Sequence, residues 1–458
     1  MRHVPEMVYS AAMPTASAHG TAHGIAHRAA HRAIEAVWRI ESARLIAGLA
    51  RMVRDVGLAE ELAQDALVAA LEHWPADGVP ANPGAWLMAT AKRRAIDRLR
   101  RTRVIERSHE QIGAGAGEAR AGTGADALAA LEAALDGDPG DDLLRLVFTA
   151  CHPVLPPDGR VALTLRLIGG LTTAETARAF LVSEPTMAQR IVRAKRTLAE
   201  AGVAYEVPRG PELAERLASV LEVIYLVFNE GYTASSGDDW VRPALCEDAL
   251  RLGRILAQLM PDTPEVHGLV ALMEIQASRL RARTGPDGEP VLLLAQNRAR
   301  WDHVLIRRGL AALDRAVALG GARGPYALQA AIAACHARAV TAEATDWPRI
   351  AALYATLAAL TPSPVIELNR AVAVAMAFGP AAGLELVDAL AGDPSLTHYH
   401  LLPSVRGDLL ARLGRLDEAR RELERAADLA GNVRERDLLL ARAAACGRRD
   451  VVRGADSG

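Results

Sequence analysis

The chain has 458 residues with 53 Lys plus Arg against 55 Asp plus Glu, a formal net charge of -2, so it is neither a polycation nor an acidic tail; at about 150 residues per domain it suggests roughly three units. Half of the residues are hydrophobic but only 4% are aromatic, and Ala supplies much of the apolar content, which favours close-packed helices over sheets and predicts an all-α protein. Four scattered cysteines, Cys151, Cys246, Cys335 and Cys446, form no CxxC pair, and no apolar run is long enough for a signal peptide or a membrane span. A disulfide framework, a zinc knuckle and a membrane partner are thereby disfavoured, and a reducing cytoplasm fits.

Residues 1–32 form a His/Ala-rich leader. His19, His23, His27 and His31 recur at four-residue spacing, which on a helix would align four imidazoles as for a transition metal. Gly20, Gly24 and the surrounding Ala, Ser and Thr read instead as a disordered extension, and no metal is assigned.

A first amphipathic helix is predicted over Glu35 to Arg54, with a stripe of Val37, Ile40, Leu45, Leu49 and Val53. A second, Leu58 to Trp74, puts Glu60, Glu61, Gln64 and Asp65 on an acidic surface while Leu62, Ala66, Leu67, Ala70 and Leu71 face inward. After a Pro/Gly/Asn-rich turn, Pro83 to Arg107 sets Leu87, Met88, Ala91, Ala95, Ile96 and Leu99 on an apolar stripe. Its other positions carry Lys92, Arg93, Arg94, Arg98, Arg100, Arg101, Arg103 and Arg107, opposed only by Asp97 and Glu106. So local an excess of cation is an electrostatic footprint for a polyanion, most commonly nucleic acid; a solvated helix face is the alternative. Acid on one helix and base on the next point to two different partners.

Gly113 to Gly124 is composed as a flexible linker, within a tether over 108–140. A compact helical module follows over 141–204. In it Thr172 and Glu175 form a capping box, Ala177 sits where two helices cross closely, and Val182 is the buried residue of a turn. Ser183 caps the next helix, whose Met187, Ile191, Ala194 and Leu198 make one apolar face; Gln189, Arg190, Arg193 and Lys195 or Arg196 stay outward. This is the pattern of a helix-turn-helix with its recognition helix at about Glu184 to Ala199.

These modules in this order resemble the sigma-70 family of bacterial transcription initiation factors, specifically the extracytoplasmic-function (ECF) group that retains regions 2 and 4. The likeness covers about Ala33 to Ala201 and assigns 33–107 to region 2 and 141–204 to region 4. The resemblance implies that Glu61, Gln64 and Asp65 dock the β′ clamp helices of core RNA polymerase. It implies that Trp86, Lys92, Arg93, Arg98 and Arg101 melt and hold the promoter −10 element, and that Thr186, Gln189, Arg190 and Arg193 read the −35 element. The chain departs from many members at Ala91-Lys92-Arg93, where they carry Ala-Arg-Asn, and at Leu181, where many turns carry Gly.

The remainder, 205–458, resembles the large extension of one ECF branch, which is built of tetratricopeptide-like helix pairs. Gly407, Leu410, Gly414, Ala419, Leu423 and Ala426 fall at the small and large positions of such a hairpin, and more degenerate pairs lie at Tyr326 to Leu360 and Pro364 to Leu390. Stacked helix pairs leave a concave face that binds peptide or protein, so a protein partner of the extension is expected. Phe228, Asn229, Glu230, Gly231 and Tyr232 read either as a docking joint between the extension and the sigma modules or as a helix end with Gly231 left-handed. Trp301-Asp302-His303 reads as packing at a helix start. No nucleophile, metal set, cofactor or phosphate loop stands out. The implied function is a non-catalytic promoter-specificity subunit whose activity its own extension controls. The alternative is a one-component helix-turn-helix regulator with a tetratricopeptide sensor, which would have no use for the paired acidic and basic helices at Leu58 to Arg101.

Overall fold

The computed structural model describes the backbone of residues 18–113, 139–180, 182–234 and 239–455; within these, side chains are described except at 18–29, 39, 99–113, 139 and 448–455. Among the described residues the regular secondary structure is helical apart from a lone bridge between Thr284 and Pro290, and the chain divides into two compact units, Met1–Leu146 and Val147–Gly458.

The first unit contains α1 (Ala18–Val53), α2 (Val56–Asp77) and α3 (Pro83–Gly113). Arg54, with φ of 54°, breaks α1, and the Asp55 carboxylate restarts the chain by accepting from the Leu58 N–H at 2.9 Å. Asn82 does the same for α3 through the Ala85 N–H. Leu45, Ile46, Leu49 and Ala50 of α1, Leu62, Ala63, Ala66 and Trp74 of α2, and Leu87, Ala91 and Ala95 of α3 are buried together; the alanines let the helix axes approach closely.

Three sequence expectations need correction here. Ile40 is 67% exposed, because five residues turn it about 140° away from Leu45, the nearest core position C-terminal to it on the predicted stripe. Glu60 is not on the acidic surface but buried, its carboxylate accepting from Gln64 at 2.7 Å. The leader is helical from Ala18 onward: its many alanines, continuous with an established helix, outweigh the roughly 1 kcal/mol that each of Gly20 and Gly24 costs. The His19, His23 and His27 side chains lie outside the described residues.

The second unit begins inside α4 (Pro139–Ala150) and holds α5 (Pro157–Leu167), α6 (Thr173–Ala179), α7 (Glu184–Glu200), α8 (Pro211–Tyr232), α9 (Pro243–Leu259) and α10 (Pro264–Ala277). It continues with α11 (His303–Ala318), α12 (Pro325–Arg338), α13 (Trp347–Leu360), α14 (Pro364–Phe378), α15 (Pro380–Leu390), α16 (Leu401–Arg412), α17 (Leu416–Leu429) and α18 (Val433–Ala455). From α8 on, the helices pack mainly on their neighbours in sequence, except that α12 packs chiefly on α10, and many start with Pro in the first turn. Gly407 brings α16 onto α17: a Cβ there would lie 2.9 Å from the Leu423 Cγ and 3.1 Å from the Ala419 carbonyl oxygen. Asn432, at the start of α18, donates to the Asp239 carbonyl at 2.9 Å, so the last helix meets the loop that follows α8. Trp301 is buried, and Asp302 caps α11 by accepting from the Val304 and Leu305 N–H groups.

Candidate nucleic-acid interface

In the first unit, the acidic face of α2 and the basic face of α3 meet. Arg98 binds Glu61 at 3.0 Å and Arg94 approaches Asp65 at 3.6 Å, all four side chains remaining at least a third exposed. The faces read from sequence as aimed at separate partners thus pair with one another in the free protein, and exposed pairs of this kind are each worth about 0–1 kcal/mol. Gln64 turns back to Glu60. Trp86 stands edge-on to the buried Trp74 at 5.4 Å and to His73 at 6.5 Å. Lys92 is half-buried and Arg93 exposed on the same helix; the Arg101 backbone lies on α3 but its side chain is outside the described residues.

The helix-turn-helix forms as its caps dictate. Thr172 Oγ1 accepts from the Glu175 N–H at 3.1 Å while the Glu175 carboxylate accepts from the Thr172 N–H at 2.7 Å, closing the capping box. Ser183 caps α7 through the Thr186 N–H. Met187, Ile191, Ala194 and Leu198 are buried, whereas Val182 is only half-buried. Thr186, Gln189 and Arg193 face outward, and Arg190, half-buried, lies 3.4 Å from Asp158 of α5. An open depression on this face is lined by Ala188, Gln189, Val192, Arg193 and Arg196. Val192, one of the lining residues, is 65% exposed, which a single Val in a basic helix does not signal in the sequence.

The helix-turn-helix is joined to the helices that follow it within the second unit by arginines whose partners lie far along the chain. The buried Arg160 of α5 donates to Ser219 and, at 2.9 Å, to Glu222 of α8, and Ser219 donates to the Cys151 carbonyl. Arg216 of α8 reaches the Phe148 carbonyl at 3.0 Å. Arg242, just before α9, binds the Ala179 carbonyl at the end of α6 and the Glu230 carboxylate, and Arg251 binds the Gly169 carbonyl. Of the cluster 228–232, Glu230 shares Arg242 with the Ala179 carbonyl, and the contacts of the others lie within the extension. Phe228 is buried and stacks on Tyr232 at 5.7 Å, the Asn229 carbonyl accepts from Thr233, and the Gly231 carbonyl accepts from the Arg242 N–H at 2.7 Å. Gly231 is not left-handed: it lies within α8, and its missing Cβ lets α8 meet Cys246.

All four cysteines are free and buried, and burial pushes the Cys151 thiol up to about 11 and the Cys246 thiol up to about 12, the reverse of an activated nucleophile. Among the described residues no cluster of His, Cys, Asp and Glu could hold a metal ion, and no helix is long and apolar enough to cross a membrane.

Three family models match the chain: sigma-70 region 2 over residues 37–104, sigma-70 region 4 over 145–198, and a family of unknown function, DUF6596, over 216–317. A protein of Rhizobium meliloti described as uncharacterized is 45% identical over 392 residues, 85% of this chain and 90% of its own length. The ECF RNA polymerase sigma factor SigK of Mycobacterium ulcerans is 30% identical over 159 residues, and that of Mycobacterium bovis is 31% identical over 160; each match spans 34% of this chain and 78% of the relative. No solved structure matches. The chain belongs to the sigma-70 family of RNA polymerase sigma factors, in its extracytoplasmic-function group. It is a DNA-binding initiation factor, so core polymerase and promoter DNA are its partners, and the region 2 match decides against a one-component regulator.

Proposed function

We propose that this chain selects and melts promoters with regions 2 and 4 while its own extension governs how region 4 is presented to DNA. In this reading Glu61, Gln64 and Asp65 dock the β′ clamp helices, exchanging Arg98 and Arg94 for basic groups of the polymerase. Trp86, Lys92, Arg93, Arg98 and Arg101 engage the −10 element; Thr186, Gln189, Arg190 and Arg193 read the −35 element. The extension acts as a tetratricopeptide-like platform for a protein partner in the cytoplasm, and Phe228 to Tyr232 form its joint with region 4.

The observation that carries the control role is Arg242, which holds the last carbonyl of α6 and the Glu230 carboxylate at once. A half-buried arginine shared by the first helix of the helix-turn-helix and the extension fixes their relative position, and its loss leaves Glu230 without that cation. The test is run-off transcription by core polymerase with the full-length chain and its Arg242→Ala and Arg216→Ala variants, matched for core binding. A several-fold change in promoter output at unchanged core affinity is expected. Output equal to wild type from both variants would reduce the extension to a passenger.

A further inference from the structure

Inside the extension, three arginines gather where α8 ends and where the segment between α10 and α11 crosses it. Arg283 stands 3.8 Å above the Tyr232 ring and 5.3 Å from Trp240. Arg279 lies 5.7 Å from Tyr232 and 5.9 Å from Trp301, and Arg298 lies 4.6 Å from Trp301. Among the described residues none of the three forms an ion pair with a carboxylate. Elsewhere in this unit, by contrast, Arg254 holds Glu274 at 2.9 Å and Arg216 holds Glu212 at 2.9 Å.

Each arginine has a different degree of satisfaction. Arg298 donates to the His336 and Ala339 carbonyls and so closes the end of α12, a structural duty. Arg283 donates to Thr233 at 2.8 Å. The Arg279 side chain makes no hydrogen bond among the described residues. Around it the Nε atoms of Arg279 and Arg283 and the indole Nε1 atoms of Trp240 and Trp301 are buried without an acceptor. Among the described residues these four donors have no acceptor, which describes a place suited to an acceptor-rich group, because a buried donor left unpaired is costly. Guanidinium groups backed by aromatic faces select phosphate or carboxylate oxygens, which they bind through two parallel N–H bonds.

We propose that Arg279 and Arg283, framed by Tyr232, Trp240 and Trp301, form a binding site for an anionic small molecule that presents a phosphate or carboxylate group. Burial lowers the pKa of Arg283, and the neighbouring Arg279 charge lowers it further, a penalty that a bound anion removes. This inference lies beyond the promoter-selection reading and stands or falls without it.

The test uses the full-length chain titrated with inorganic phosphate, pyrophosphate and citrate against a chloride background, read by calorimetry and by tryptophan fluorescence. Saturable binding of phosphate or pyrophosphate places the ligand among phosphate compounds, and of citrate alone among carboxylates; either supports the site. Arg279→Gln should weaken binding at least about tenfold and Arg279→Lys less. Arg315→Gln, whose partner Asp262 lies on another surface, should bind as wild type. Absence of saturable binding by all three probes to the wild-type chain overturns the proposal whatever the variants do. So does an Arg279→Gln chain of wild-type circular dichroism that binds as tightly as the parent.

Discussion

Arg98 on α3 donates to Glu61 on α2 at 3.0 Å, so a cation assigned to promoter DNA and a carboxylate assigned to polymerase are partners in the free protein. With both side chains more than half exposed, the pair contributes little to stability and exchanges readily for a stronger partner. A Glu61→Lys, Asp65→Lys chain, which loses both pairs, should therefore melt within about 2 kcal/mol of wild type while co-purification with core polymerase falls at least about tenfold. Undiminished co-purification would remove α2 from the docking surface.

The two parts proposed to face DNA should fail differently. Arg193 projects from α7 beside Gln189 and the exposed Val192, so Arg193→Ala should cost about 1–3 kcal/mol on the preferred −35 sequence and flatten discrimination among −35 variants. Arg93, exposed on α3, should act on phosphate: Arg93→Ala should weaken all promoters alike and lower the salt slope by about one. Footprinting affinities over a salt series separate these outcomes, and uniform loss after Arg193→Ala would reassign that residue to the backbone.

Glycines offer a test of the helix packing. A Cβ on Gly231 would lie 2.7 Å from the Cys246 backbone nitrogen, 2.8 Å from the Leu245 Cβ and 2.9 Å from the Cys246 Sγ, none of which can withdraw cheaply. Gly231→Ala should destabilise the second unit by about 1–3 kcal/mol. Gly48→Ala meets only the flexible end of Met88 at 3.1 Å and should be neutral or stabilising, because Ala is the better helix former. Thermal melts of the two variants should move in opposite directions or differ clearly in size.

How much of this was legible in the sequence depends on the range of each contact. Met187, Ile191, Ala194 and Leu198 repeat at helical spacing and are all buried, and Thr172 with Glu175 closes the predicted capping box, since both patterns are complete within a few residues. Of the predicted hairpin positions, Gly407, Leu410, Ala419, Leu423 and Ala426 are buried between α16 and α17, whereas Gly414 is exposed in the turn between them with φ of 77°. Glu60 and Ile40 were misplaced because charge and hydrophobicity name a preferred environment, whereas the helix phase decides the actual one. The joint from Arg242 to Ala179 spans 63 residues, and the meeting of Asn432 with Asp239 spans 193; neither has a local signal.

The last prediction concerns His336, 8% exposed on α12, whose imidazole is held down to about 4 by burial first and then by the charges of Arg279 and Arg298. Its folded pKa thus lies below the ordinary value of about 6.5 in an unfolded chain. Between those two values the unfolded chain takes up a proton that the folded chain refuses, so the stabilising contribution is complete above about pH 6.5 and is lost as pH falls towards 4. At pH 5 the loss amounts to about 2 kcal/mol relative to pH 7. The neutral ring is also the form its surroundings allow, because Nδ1 meets no donor or acceptor and two guanidinium groups oppose a third cation. Denaturant melts at pH 7 and pH 5 should show a steeper loss for wild type than for His336→Gln, which has no proton to exchange. Identical pH slopes in the two proteins would mean that His336 titrates as it does in water and that its pocket is not the cationic enclosure drawn by Arg279 and Arg298.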